Sequence, residues 1–428
     1  MTPGITLAIG LAVTVLFRAS LATNYVVLGD DTFGYLSGSG SHFLALPYLW
    51  PFTTLMGEFP GVKMAAIVAS IAPAIPFYLL LRDRPGGGWV AALGAWALVW
   101  VPVYGWVLGW GFLSLLAVTA GLFCVLGMHR YYATGRFAWA IAAFFGGSAA
   151  VLLNQSALLV LAPLVLVYVL ASVWRRPRLM WGYGPLGVFA LVFVPSLEWQ
   201  AFHVGLSSAW TVAALSVLAV GFVLGGRKVG GSYGILIAVW GLAAVIPQMF
   251  TSADLDAMVA FGRAGLWMYP PLLMLGAEGF GALRGRAFLV GAPLALVGLA
   301  VLSILWGLSF ERSAQASSNL TDDTVEVFLW LQENAPGELV AVVPHGLGWA
   351  LSYTTGRPYM TTVPEIVRGQ IRDRLESEYV DCLVAGGCQM RSPVAAGAPA
   401  YLVVNHGLAS LPLVKSVGSV RVYRVAPN

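Results

Sequence analysis

The sequence predicts a polytopic α-helical membrane protein, about eleven transmembrane helices followed by a small C-terminal extracytoplasmic α/β domain. Three observations predict it. Of 428 residues, 59% are hydrophobic and only 10% are charged, against about 25% charged in a soluble domain. Basic residues alternate between successive connections. Composition changes abruptly near residue 309, where charges become dense and turn signals return.

Apolar runs of roughly 17 to 25 residues can each cross a bilayer. They lie near 5–27, 61–81, 89–106, 108–128, 137–153, 156–174, 180–195, 208–225, 232–250, 264–283 and 287–308. The start, Met1-Thr2-Pro3-Gly4, has no charged n-region, so the first run is expected to be a retained helix and not a cleaved signal. Alternate connections hold Arg82 and Arg84, then Arg130 and Arg136, then Arg175, Arg176 and Arg178, then Arg227 and Lys228, then Arg284 and Arg286. The connections between them hold most of the acids: Asp30, Asp31, Glu58, Glu198, Asp254 and Asp256. The positive-inside rule places the basic set and the N-terminus in the cytoplasm. The acid-bearing loops and the C-terminal domain are then outside, on a multi-pass plasma-membrane protein. Domain 1–308 is the transmembrane part, with a first outer loop at 29–60, and 309–428 is the outer domain.

In the tail, Thr321-Asp322-Asp323 is expected to cap a helix that ends at Pro336-Gly337. A second helix is expected from Pro364 to Tyr379. Strands are expected at Leu339–Val343, Cys382–Ala385, Tyr401–Val404 and Val420–Val425. Cys382 and Cys388 can pair as a disulfide outside the cell, although spacing alone does not establish the geometry. Cys124, inside an apolar run, reads as packing. No basic run with interleaved aromatics points to nucleic acid, and no P-loop, dinucleotide fingerprint or nucleophile elbow is present.

The chemistry-bearing feature is Asp30-Asp31, directly after the first apolar run, in Gly29-Asp30-Asp31-Thr32-Phe33-Gly34-Tyr35. Two adjacent carboxylates at the mouth of a membrane helix are costly and mark a functional site by default. One can act as general base on an acceptor hydroxyl while the other orients it or binds a metal; helix capping or a solvated helix end is the alternative. A divalent cation, Mg or Mn, is the one cofactor this chemistry admits, with Asp31 as its candidate ligand. The loop that follows carries aromatic and apolar stretches suited to the membrane surface and to shaping a groove. Arg263 stands on the outer side just before a span, against the positive-inside pattern. Its guanidinium suits a phosphate; an ion pair with Asp254 or Asp256, or snorkelling, is the alternative. Arg18, inside the first span, is expected to pair with an acid or with backbone carbonyls. His42, Glu58, Asn154, Gln155, Glu198 and His203, with Asp254 and Asp256, are the other candidate substrate-groove residues of the outer face. His345 and His406 lie in the tail, the former in a Gly- and aromatic-rich stretch that reads as domain packing.

Together these residues resemble the glycosyltransferases of the C superfamily, and among them the protein mannosyltransferase-like members. The resemblance rests on Asp30-Asp31 with Phe33 and Tyr35, on Gly262-Arg263 before an apolar helix with Pro270-Pro271, and on the tail residues Val327 to Gly337 and Gly356-Arg357-Pro358. It implies a donor sugar linked to polyprenyl (or dolichyl) phosphate, a lipid, glycan or protein acceptor, Asp30 as base and Asp31 as its partner. The Trp-Trp-Asp motif of oligosaccharyltransferase catalytic subunits is absent, so transfer of a whole oligosaccharide to Asn is not implied. The competing class is a transporter or flippase for a lipid-linked or anionic substrate. That class would keep polar residues near the bilayer midplane, where this sequence has few.

Overall fold

The structure is a computed structural model and describes residues 2–23, 45–84, 87–110, 112–154, 156–184, 186, 204–252, 263–283, 286–317, 321–343, 351, 355, 359–361, 371–385, 388, 399–404, 407–408 and 411–425. The chain falls into two compact units, Met1–Ala22 with Lys63–Ser313, and Thr23–Val62 with Ala314–Asn428.

The first unit is helical. In order it contains α1 (Pro3–Ala22), most of α3 (Glu58–Ile71), α4 (Ala74–Leu81), α5 (Gly87–Val99), α6 (Pro102–Trp110), α7 (Leu113–Thr134), α8 (Phe137–Leu153) and α9 (Ala157–Arg175). A 3-10 helix (Pro177–Tyr183), strand β1 (Val204–Leu206), α10 (Ala209–Val229) and α11 (Gly231–Val245) follow. Strand β2 (Phe250–Ser252) pairs antiparallel with β1, Gly205 opposite Thr251. A 3-10 turn (Gly265–Met268), α12 (Tyr269–Gly281) and most of α13 (Arg286–Ser317) complete the unit.

Seven stretches among the described residues are long and apolar enough to span a bilayer: Pro3–Ala22, Glu58–Leu81, Leu113–Thr134, Ala157–Arg175, Ala209–Val229, Gly231–Met249 and Pro293–Arg312. The pair Gly87–Val99 and Pro102–Leu108, bent by 45°, makes an eighth if it counts as one span. Of the other expected spans, one keeps its bounds and two come out differently. The run 137–153 forms a 17-residue helix. The run 264–283 forms a 3-10 turn and a 13-residue helix whose first turn holds Pro270-Pro271, where proline fits because the first turn has no backbone donor to lose. The run 180–195 begins in the 3-10 helix and then leaves the described residues.

Helix packing uses small residues, as it must where lipid offers no hydrophobic drive. A Cβ on Gly146 of α8 would stand 2.7 Å from the Ala120 carbonyl oxygen of α7, and one on Gly127 of α7 would stand 2.7 Å from the Trp139 carbonyl oxygen of α8. The basic connections are laced by ion pairs: Arg84 to Glu278 at 2.7 Å and Arg130 to Asp83 at 2.5 Å.

The second unit is built on a five-stranded sheet, with α14 (Asp322–Asn334), β3 (Val340–Val342), β4 (Tyr359–Thr361), α15 (Ile371–Ala385), β5 (Tyr401–Val404), β6 (Leu413–Val417) and β7 (Val420–Arg424). The strand order is β4-β3-β5-β7-β6. β3 runs parallel to β4 and β5, whereas β5/β7 and β6/β7 are antiparallel. Side chains alternate between faces with the period of two that a strand imposes. Val340, Val342, Val403, Val420 and Val422 bury against Val327, Phe328 and Leu331 of α14. Ala341, Leu402, Val404 and Tyr423 bury on the opposite face against Tyr379, Val380 and Leu383 of α15. The result is a three-layer α/β arrangement.

Thr321 caps α14 through a capping box with Thr324. The stretch Cys382–Ala385, expected as a strand, is instead the last turn of α15. Tyr379, Val380 and Leu383 recur at helical spacing and share one buried face. Cys382 and Cys388 form a disulfide, with Cα atoms 5.1 Å apart. The loop that the sequence reading assigns to the transmembrane domain also contributes here. It holds α2 (Leu46–Met56), and Phe59, at the start of α3, packs on the α14 face of the sheet.

Candidate functional site

The sequence-predicted residues divide sharply. Asp30, Asp31, His42, Gln155, Glu198, His203, Asp254 and Asp256 lie outside the described residues, as do His345, His406 and Arg357. Arg263, Asn154, Glu58 and Arg18 are described.

Arg263 is exposed and opens the turn leading into α12. The residues after it are anchors. Ala264, Leu266 and Trp267 are fully buried. Trp267 packs against Gly121 of α7, where a side chain would leave the ring no room. The Tyr104 hydroxyl donates to the Leu266 carbonyl oxygen at 3.3 Å, and the Tyr104 ring meets Tyr269 edge-on at 6.4 Å. The guanidinium is thus exposed, and the backbone that follows it is held by an aromatic wedge.

Beyond that anchor, α12 forms one wall of an apolar cavity of about 230 Å³. Its lining comes from α5, α12 and α13, and small residues leave the space: Gly94 and Ala97, Gly276 and Ala277, Ala295 and Gly298. The lining begins at Leu273, ten residues past Arg263, roughly 15–20 Å along a helix of this kind. An exposed cation therefore stands six residues before α12, and an apolar groove runs along that helix from Leu273. In the sequence the groove leaves only a trace, the small-residue spacing on helices distant in the chain.

Arg18 is buried in α1, 1% exposed. It donates to the Ser70 hydroxyl and to the Val99 carbonyl oxygen. Its guanidinium lies 4.1 Å from the Trp306 ring centre and 5.1 Å from that of Trp100. Backbone carbonyl pairing is one of the two partners the sequence leads one to expect, and the aromatic cage is new. An indole face stabilises a desolvated cation by ~2 kcal/mol or more. Nε of Arg18 has no hydrogen-bond partner.

Asn154 is a clasp. Its amide donates to the Ser114 hydroxyl at 2.8 Å, and its carbonyl oxygen accepts from the Ser156 amide at 3.0 Å and the Ser156 hydroxyl at 2.6 Å. Those bonds tie the α8–α9 turn to α7. Glu58 is exposed in the first turn of α3, where a carboxylate favours the helix dipole.

Among the described residues no group of three or more His, Cys, Asp or Glu could hold a metal ion. The expected donor Asp31 lies outside them, so the described side chains supply no donor set for Mg or Mn.

The fold has solved counterparts. ArnT from Cupriavidus metallidurans, bound to undecaprenyl phosphate, aligns with a TM-score of 0.62 at 12% identity, over 99% of this chain and 98% of that one. The chain shares the fold of ArnT. The oligosaccharyltransferase of Archaeoglobus fulgidus in its apo form aligns with a TM-score of 0.55 at 14% identity, over 94% of this chain and 69% of that one. The same enzyme in complex with Zn and sulfate aligns with a TM-score of 0.52 at 12% identity, over 93% and 67%. No family model and no curated protein sequence matches the chain.

Proposed function

We propose that this protein is a membrane glycosyltransferase that moves a sugar from a polyprenyl-phosphate-linked donor to an acceptor hydroxyl. The observation that carries the reading is the fold likeness to ArnT along essentially the full length of both chains, in a structure where ArnT holds undecaprenyl phosphate. The segment from Arg263 to the end of α12 supports it: an exposed arginine suits a phosphate, and an apolar groove suits an isoprenoid tail.

The roles follow from the sequence. Asp30 takes the proton of the acceptor hydroxyl. The acceptor oxygen bonds to the anomeric carbon as the bond from that carbon to the phosphate oxygen breaks, which inverts the anomeric centre. The polyprenyl phosphate leaves as an anion, and Arg263 is its counter-charge. Asp31 orients Asp30, or holds Mg or Mn where a divalent cation is used. The donor's lipid supplies affinity, so few contacts to the sugar are needed. The reaction faces the extracytoplasmic side of the plasma membrane, with the N-terminus cytoplasmic and the domain 309–428 outside. The acceptor is a lipid, a glycan or a protein.

The test is turnover of labelled polyprenyl-phosphate sugars by the purified full-length protein. Asp30→Asn and Asp31→Asn should abolish transfer and spare donor binding. Arg263→Gln should weaken donor binding. Undiminished transfer by both Asp variants would refute the assignment. Movement of lipid-linked substrate across proteoliposomes without sugar transfer would establish the transporter class instead.

A further inference from the structure

The stretch Trp174–Trp181 gathers three arginines and two exposed tryptophans. Asp83 serves Arg82 at 3.5 Å and Arg130 at 2.5 Å, and Glu278 serves Arg84 at 2.7 Å, whereas Arg136 and Arg227 are exposed and pair with no carboxylate among the described residues. Among the described residues, none of Arg175, Arg176 and Arg178 pairs with a carboxylate, and all three are exposed. Large apolar side chains stand between them. Trp174 is 89% exposed, Trp181 83% and Met180 54%.

This surface is firmly built from beneath. Gly182 and Tyr183 are buried, and a Cβ on Gly182 would overlap the Tyr131 hydroxyl. Tyr131 donates to the Leu179 carbonyl oxygen at 3.1 Å and meets Tyr183 edge-on at 4.9 Å. Arg176 donates to the Tyr132 carbonyl oxygen at 2.8 Å, with its guanidinium 4.6 Å from the Tyr132 ring centre. Two tyrosines of α7 therefore hold the 3-10 helix (Pro177–Tyr183) by one face. The other face presents the two tryptophans with Arg175 and Arg178 at the end of the apolar stretch Ala157–Arg175, where a helix of that length would meet the headgroups.

We propose that Trp174–Trp181 is a binding surface for anionic phospholipid, the arginines meeting the headgroup phosphates and the two indoles and Met180 lying among the upper acyl carbons. Exposed tryptophan is the residue type that settles at the membrane interface. Unpaired guanidinium forks complement phosphate, and each base near an anionic surface contributes about a fivefold gain in affinity. A soluble acidic partner would match the arginines and leave the two tryptophans without a purpose. The inference does not depend on the proposed transfer reaction or on which leaflet carries the surface.

The test is native mass spectrometry of the full-length protein in detergent, titrated with phosphatidylglycerol and with phosphatidylcholine of the same acyl chains. Arg175→Gln with Arg178→Gln leaves Arg176 and its bond to Tyr132 in place. The wild type should retain phosphatidylglycerol in preference to phosphatidylcholine. The double Gln variant should lose about 25-fold in phosphatidylglycerol affinity and keep its phosphatidylcholine binding. Arg175→Lys with Arg178→Lys should keep most of the preference. Equal phosphatidylglycerol affinity in wild type and Gln variant, or a wild type without headgroup preference, would overturn the proposal. So would unchanged lipid binding combined with altered self-association, which would assign the face to a second copy of the chain.

Discussion

Gly121→Ala tests how the Arg263 segment is held. Gly121 lies in α7, and a methyl group there would overlap the six-membered ring of Trp267. Trp267 is 1% exposed, so the ring has no empty space to enter. Its neighbours Ala264 and Leu266 are equally buried, and the Tyr104 hydroxyl ties the Leu266 carbonyl. Relief therefore requires either a shift of α7 or withdrawal of the wedge. Overpacking of this kind costs about 1–3 kcal/mol. Withdrawal also moves Arg263, four residues earlier, and a misplacement of about 1 Å in a positioned group costs on the order of 100-fold in rate. The assay is thermal unfolding of the detergent-solubilised protein beside turnover and donor affinity. Gly121→Ala should lower the melting temperature and weaken donor binding. Trp267→Phe in the same chain should recover part of both losses, because the smaller ring frees the space the methyl needs. Wild-type stability and donor affinity in Gly121→Ala would refute the wedge. Lost stability with unaltered donor affinity would refute its link to Arg263.

Three further outcomes follow from the packing. Asn154→Ala should destabilise the membrane unit by about 1–3 kcal/mol, because the buried Ser114 and Ser156 hydroxyls lose their partner; a change in donor or acceptor KM without loss of stability would instead make Asn154 a substrate contact. Trp306→Ala should cost about 3–5 kcal/mol by opening the cage over Arg18, read by unfolding in detergent, and a near-silent variant would show that the indole does not hold the guanidinium. Thr321→Ala should cost about 1 kcal/mol and speed hydrogen exchange at the first turn of α14; unchanged exchange there would remove the capping box.

Period and composition explain where the sequence was legible. β3 and β5 are short apolar runs and β7 alternates Val420 and Val422 with Arg421, all within the stretches expected, and the α14 cap stands at Thr321. β6 escaped notice because Lys415 interrupts its apolar run. That lysine suits an edge strand and reaches Glu326 at 3.0 Å. Cys382–Ala385 misled because four residues are too few to separate a period of two from one of 3.6. Arg263 stood out against the charge alternation, and its side chain is exposed. Asn154 did not reveal its clasp, since Ser114 lies forty residues away.

The sequence alone determined the solvent of this protein. Long apolar runs with 10% charge cannot be hidden in water, so a polytopic bundle and a polar tail domain follow from local composition. It also singled out Asp30-Asp31 and Arg263, because a charge beside hydrocarbon is conspicuous wherever it stands. Tertiary structure decided which helices leave a groove, which tryptophans cage Arg18 and which glycine admits Trp267. Those outcomes depend on side chains brought together from residues 18, 70, 99, 100 and 306, or from 121 and 267. No local pattern encodes such meetings, because close packing is a property of the assembled bundle and not of any one helix.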